Sequence, residues 1–220
     1  MRTVIFDLDG TLADTSQDLV AAANACFRDL GLGDLLDPVA DAGTALRGGR
    51  AMLTLGFGRV EGFGLAQVDA QYPLLLAAYA RDIDRHTVMY PGAMAAVARL
   101  RAAGYRVGIC TNKPEGLAQT LLTRLGVREA FDSLVGADTL AVRKPDPLAL
   151  VAAVERAGGD LRRACLVGDT LTDHTTARAA GVPSVLVTFG PGAEAVRALT
   201  PDALLDHYDD LDAVVAGLGL

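Results

Sequence analysis

From residue 91 onward, short apolar runs alternate with stretches of helical periodicity, and this constrains the fold more than any other feature of the chain. Val107–Cys110, Ser133–Val135, Ala164–Val167, Ser184–Val187 and Ala203–Leu205 are short and almost continuously apolar, so each reads as a buried strand. Between them the spacing predicts helices over residues 93–103, 114–125, from Asp146-Pro147, over 173–180 and near 210–216. Pro114 and Pro147 sit where a first helical turn accepts proline, Asp146 offers an N-cap, and Gly126 offers a stop. Val4-Ile5-Phe6 adds a strand at the amino end. Repeated strand–helix units imply a doubly wound parallel sheet with helices on both faces.

One segment breaks the alternation. Thr15-Ser-Gln-Asp18 has the form of a helix-start capping box, Leu19 to Leu30 is apolar at helical spacing, and Gly31 ends the run. The chain stays Ala- and Leu-rich and helical in pattern to Arg85, with joints at Gly48-Gly49 and from Gly56 to Gly64. The expected fold is therefore α/β. A Rossmann-like core is formed by residues 1–14 and 86–220, and a small all-helical cap, residues 15–85, is inserted after the first strand over the sheet's carboxyl edge.

Composition narrows the class. The 220 residues are 51% hydrophobic and 21% charged, which is the balance of a globular chain. No apolar run is long enough to span a bilayer, and the first strand begins too early for a secretion signal. The three cysteines lack metal-ligand spacing, and Cys110 and Cys165 lie in strand-like runs; they read as reduced core thiols of a cytoplasmic protein. A net charge of −7 argues against a nucleic-acid surface and requires local positive charge to hold an anionic substrate. No membrane partner is expected, and the chain is expected to be a monomer or homodimer.

In an open parallel sheet, ligands bind beyond the carboxyl ends of the strands. After Phe6 come Asp7, Asp9, Gly10 and Thr11; alternation places the two aspartates on one side. Two like charges at a buried strand end call for a cation or a shared proton, although an acidic turn would share this sequence. After Cys110 come Thr111, Asn112 and Lys113; Lys144 precedes Pro145; after Val167 come Gly168, Asp169 and, four residues on, Asp173. Carboxylates from two strands suit a hard cation such as Mg²⁺, and Thr111 beside a helix start with Lys144 suits a phosphate. Singly, each has a plainer reading as a turn, a cap or a solvated lysine. Their coincidence at one sheet edge favours phosphoryl chemistry.

Asp7-Leu-Asp9-Gly-Thr11, Thr111-Asn-Lys113, Lys144-Pro145 and Gly168-Asp169-Thr-Leu-Thr-Asp173 resemble, in order, the four motifs of the haloacid dehalogenase-like hydrolases. The helical insert, with Asp14-Thr-Ser-Gln-Asp18-Leu, Arg143-Lys-Pro-Asp-Pro147 and Ala177-Arg-Ala-Ala-Gly-Val-Pro183, resembles the phosphoglycolate phosphatase-like branch. The resemblance implies that Asp7 is the nucleophile and Asp9 the general acid and then base. It places Mg²⁺ on Asp7, Asp169 and the Asp9 carbonyl with support from Asp173, and the phosphoryl group on Thr111, Asn112 and Lys144. An aspartate at position 9 argues against carbon–halogen chemistry.

The resemblance implies hydrolysis of a small phosphorylated metabolite, 2-phosphoglycolate being the first expectation. A sugar-phosphate mutase is the alternative within the family, and a non-catalytic phosphate-binding module the alternative outside it. Arg47 and Arg50 flank Gly48-Gly49 and could meet a substrate carboxylate from the cap, or lie on a solvated loop. Gly56 to Gly62 has glycines like a dinucleotide fingerprint but does not follow the first strand. His86 and His174 read as surface positions, with a supporting role for His174 beside Asp173 left open.

Overall fold

The computed structural model describes residues 1–220. Six strands form one parallel sheet: β1 (Thr3–Phe6), β4 (Arg106–Cys110), β5 (Ser133–Val135), β6 (Ala164–Gly168), β7 (Ser184–Val187) and β8 (Ala203–Leu205). Two further strands of two residues each, β2 (Ala13–Asp14) and β3 (Val88–Met89), pair separately. The sheet order is β5-β4-β1-β6-β7-β8. The chain starts in the middle, builds outward through β4 and β5, then crosses to the other side for β6, β7 and β8. The switch point lies at β1, whose register pairs Phe6 with Ile109 on one side and Val167 on the other. That register brings the chain after Phe6, Cys110 and Gly168 to one edge.

Burial explains why these strands carry almost no polar side chains. Val4, Ile5, Phe6, Val107, Ile109 and Val167 have no solvent exposure, as expected of a parallel sheet covered on both faces. Helices α7 (Pro147–Arg156) and α8 (Leu171–Ala180) pack on one another and on the sheet, sharing a core of Ile5, Leu150, Val154, Leu166 and Ala177. Helix α5 (Ala93–Ala102) packs against β4 and against α10 (Leu211–Gly217). Asp146 caps α7 by accepting from the Leu148 N–H at 2.9 Å, with Pro147 in the first turn. Helix α8 begins two residues before the expected Asp173, because Thr170 is its N-cap and exchanges hydrogen bonds with Asp173. No helix is long and apolar enough to cross a membrane.

The chain divides into two compact units, residues 1–13 with 89–220, and residues 14–88. The second unit is helical: α1 (Ser16–Asp29), α2 (Ala42–Ala45), α3 (Gly49–Phe57) and α4 (Leu65–Arg81). Its core holds Phe27 edge-on to Phe57 at 5.1 Å, with Met52, Leu53, Leu75 and Tyr79 buried around it. The start of α1 differs from the expected capping box. Asp14 takes the Ser16 N–H and hydroxyl at 3.0 and 2.6 Å, while Asp18 turns to the other end of the insert. There its buried carboxylate accepts from the N–H groups of His86 and Thr87 and from the Thr87 hydroxyl, at 2.8–3.0 Å. The sequence placed residues 86–88 with the sheet core; these bonds tie His86 and Thr87 to α1, and residues 86–88 fall in the helical unit.

Candidate active site

The site is built on the ends of three neighbouring strands. Just past β1, the Asp7 N–H continues the ladder to the Val167 carbonyl at 2.8 Å, so the first carboxylate emerges in register with β6. The chain then turns sharply: Leu12 and Ala13 N–H groups both return to the Leu8 carbonyl at 3.0 Å. Gly10 makes this possible with φ of +81°, a conformation that a side chain would strain. Leu8 points into the core with no exposure, leaving Asp7 and Asp9 to the polar edge.

Asp7 is fixed at both oxygens. Its Oδ1 accepts the Leu8 N–H at 2.7 Å and its Oδ2 meets the Lys144 Nζ at 3.0 Å. The same ammonium lies 2.6 Å from Asp173 Oδ1, and the Lys144 side chain is 1% exposed. Burial alone would discharge such a lysine, but Asp173 and Asp7 outweigh that penalty and hold its pKa above the ordinary value. Burial likewise pushes Asp7 up to about 6; Lys144 opposes the rise, and Asp173 and Asp9 add to it. Asp169 is raised well above the usual carboxylate range, first by burial and then by Asp173 and Asp7. Its Oδ1 accepts from the Thr11 hydroxyl at 2.8 Å.

Oxygen atoms of Asp7, Asp169 and Asp173 all lie within 4.8 Å of one another. Three buried carboxylates share one lysine, so their mutual repulsion is only partly offset. An all-oxygen donor set with uncompensated negative charge fits a hard divalent cation. Asp173 is the least available of the three. Its second oxygen, Oδ2, accepts from the Thr170 hydroxyl at 2.6 Å and the Thr170 N–H at 3.1 Å, with the Asp169 N–H at 3.3 Å. Its surroundings make it a clamp on Lys144 and on the turn after β6. That turn requires Gly168, where a Cβ would lie 2.4 Å from the Asp173 Cβ.

The structure differs from the sequence expectation at several positions. The Asn112 amide donates to the Lys144 carbonyl at 3.0 Å, so its side-chain nitrogen shapes the lysine loop. Thr111 is buried and its hydroxyl accepts the Lys113 N–H at 3.2 Å. The Asp9 side chain stands apart from the three clustered carboxylates and forms an ion pair with Lys113 Nζ at 2.8 Å. Lys113 is nearly fully buried, and its one signal in the sequence is its place two residues after Thr111. His174 is half-buried and bonded to the Ser184 hydroxyl at 2.8 Å, which ties α8 to β7. Arg50 pairs with Asp69 at 2.5 Å and lies over the Tyr72 ring at 4.8 Å, all within the helical unit. Arg47 is exposed. Cys110 and Cys165 are pushed up to about 12 by burial, which leaves them as inert core thiols.

Known proteins share both sequence and fold with this chain. A phosphoglycolate phosphatase of Mesorhizobium japonicum is 39% identical over 217 residues, covering 97% of this chain and 94% of its own. One from Rhodospirillum rubrum is 39% identical over 218 residues, covering 96% and 89%. A crystal structure from Haemophilus somnus 129PT, described as a predicted phosphoglycolate phosphatase, superposes with a TM-score of 0.83 at 23% identity, covering 97% of each chain, which speaks to the fold. The family model for haloacid dehalogenase-like hydrolases matches residues 1–181, a span containing all four acidic, threonine and lysine motifs of the site. With that match and those relatives, the chain belongs to the haloacid dehalogenase-like hydrolases.

Proposed function

We propose that this hydrolase is a magnesium-dependent phosphatase that cleaves a small phosphomonoester, 2-phosphoglycolate first, through an aspartyl-phosphate. The observation that carries the reading is the Asp7 carboxylate, oriented at both oxygens beside a buried Lys144 and next to Asp169. The relatives' shared activity supports the choice of substrate.

In the first half-reaction an Asp7 oxygen attacks phosphorus, and the phosphorus–oxygen bond to the alcohol breaks. Asp9 gives its proton to the departing oxygen. In the second, Asp9 takes a proton from water, whose oxygen attacks phosphorus and displaces Asp7, releasing inorganic phosphate. Lys144 offsets negative charge on the phosphoryl oxygens and keeps Asp7 in place; Thr111 holds the same group from β4. Lys113 fixes the Asp9 carboxylate where the leaving oxygen must arrive. Mg²⁺ on Asp7, Asp169 and the Asp9 carbonyl, with Asp173 behind them, would neutralise further phosphoryl charge. The helical unit acts as the cap, and Arg47, not Arg50, is its candidate for a substrate carboxylate, since Asp69 and Tyr72 already engage Arg50.

The test is phosphate release from a panel of phosphomonoesters with Mg²⁺ or EDTA, by wild type and Asp7→Asn. Turnover of 2-phosphoglycolate that needs both Mg²⁺ and Asp7 is expected. Activity surviving in Asp7→Asn would overturn the nucleophile, and indifference to EDTA would overturn the metal.

A further inference from the structure

The turn that carries the catalytic aspartates is held from a part of the chain far away in sequence. Tyr208, in a short 3-10 turn (Tyr208–Asp210) after β8, has no solvent exposure, and its hydroxyl donates to the Thr11 carbonyl at 2.8 Å. The next carbonyl, that of Leu12, accepts the Tyr90 N–H at 2.9 Å. Phe189 sits between the two tyrosine rings, 4.8 Å from Tyr90 and 5.4 Å from Tyr208, so the buried phenol is packed against half-buried aromatic rings. Thr11 in turn gives its hydroxyl to Asp169 Oδ1. A buried phenol that is this well packed needs a partner for its O–H, and here the partner is the backbone of a residue that touches the metal-site carboxylate.

We propose that Tyr208 is a positioning residue for Asp169: its phenol fixes the Thr11 backbone, and the Thr11 hydroxyl fixes one oxygen of Asp169. This rests on the phosphatase reading of the site. The position lies beyond residue 181, where the family match ends, so the contact is contributed by a segment outside the matched motifs. Tyr208 has no reach to substrate through this bond; it acts through Thr11. The arrangement orients Asp169 through two hydrogen bonds joined by the single residue Thr11, which leaves its second oxygen free of that bond. Release of the Thr11 backbone would let Asp169 rotate, and the cost should fall on cation affinity and the rate of the chemical step, not on substrate binding.

The test uses the full chain. In Tyr208→Phe, which keeps the ring, the Mg²⁺ concentration giving half of the Mg²⁺-induced rise in melting temperature should increase about tenfold. Its kcat at fixed sub-saturating Mg²⁺ should fall by a similar factor while KM changes less than about twofold. Thr11→Val should do the same, and the double variant should be no worse than Thr11→Val alone, because both remove one path. A Tyr208→Phe protein that melts lower but keeps wild-type Mg²⁺ response and kcat, or additive effects in the double variant, overturns the proposal. Tyr208→Met serves if Tyr208→Phe does not fold; failure of both to fold shows a purely structural tyrosine and overturns it too. If wild type itself gains no stability from Mg²⁺, the metal reading fails and this inference with it. If wild type responds and the variants match it, this inference alone fails.

Discussion

Buried carboxylates occur in both units, and they are treated in opposite ways. In the helical unit, Asp18 is 3% exposed and accepts four bonds from the N–H groups of His86 and Thr87 and the Thr87 hydroxyl. It faces donors only, so its charge is locally satisfied and its work is to close the insert. In the sheet unit, Asp7, Asp169 and Asp173 face one another across a single ammonium. There the pKa values of Asp7 and Asp169 rise because burial and like charge outweigh what Lys144 supplies. The lesson is that burial does not mark a functional acid; unmet charge among buried acids does. The other buried acid of the helical unit, Asp41, is likewise answered, by Arg59 at 2.7 Å, while the Arg28–Asp34 and Arg50–Asp69 pairs are solvent-exposed and belong to neither class.

The sharpest way to break this contrast is to remove charge at the crowded site. Asp7→Asn should lower turnover by at least ~10³-fold while the protein stays folded, since a neutral amide neither attacks phosphorus nor worsens the crowding. Lys144→Met should cost both activity and fold: loss of the shared ammonium leaves two buried carboxylates unpaired, destabilising by about 3 kcal/mol. In thermal melts without metal that is a fall of roughly 6–12 °C for a chain this size. Asp18→Ala should also destabilise, by about 2 kcal/mol from orphaned buried donors, but kcat on saturating substrate should change little. Equal kcat losses in Asp18→Ala and Lys144→Met would erase the distinction drawn between the two regions.

A smaller effect is expected in pH. Asp7 titrates at about 6 in the folded protein against an ordinary value of 3.8, so folding favours its protonated form. Metal-free protein should therefore hold this contribution below about pH 4 and lose it as pH rises through about 6, on the order of 3 kcal/mol. Melting temperature measured against pH in EDTA should fall across that window, and saturating Mg²⁺ should remove the fall. A flat profile in EDTA would mean that the carboxylates are not crowded as described. The smallest effects belong to the exposed arginines. Arg50→Ala should move the melting temperature by under about 2 °C, in keeping with a surface ion pair. Arg47→Ala should raise KM for 2-phosphoglycolate more than for a neutral aryl phosphate, and equal changes would remove Arg47 from substrate recognition.

Much of this molecule was legible in the chain itself. Apolar runs flanked by glycine, proline and capping residues place β1, β4, β6 and β7 and their helices, because a buried parallel strand excludes polar side chains at nearly every position. Asp7, Asp169, Thr111 and Lys144 could be found because each follows or faces the end of such a run. What the sequence could not show was who answers whom. Asn112 looked like a phosphate ligand from its place beside Thr111, yet its amide closes on the Lys144 carbonyl. Arg50 looked like a cap contact, yet Asp69 and Tyr72, nineteen and twenty-two positions along, engage it. Tyr208 gave no signal at all, because a hydrogen bond spanning 197 positions leaves no spacing to read. Local sequence determined the strands, the helices and the acidic strand ends, since these depend on near neighbours along the chain. Only tertiary structure decided which carboxylate shares Lys144, which one Lys113 holds, and that a carboxyl-terminal tyrosine steadies the turn, because those pairings depend on where the sheet brings distant segments together.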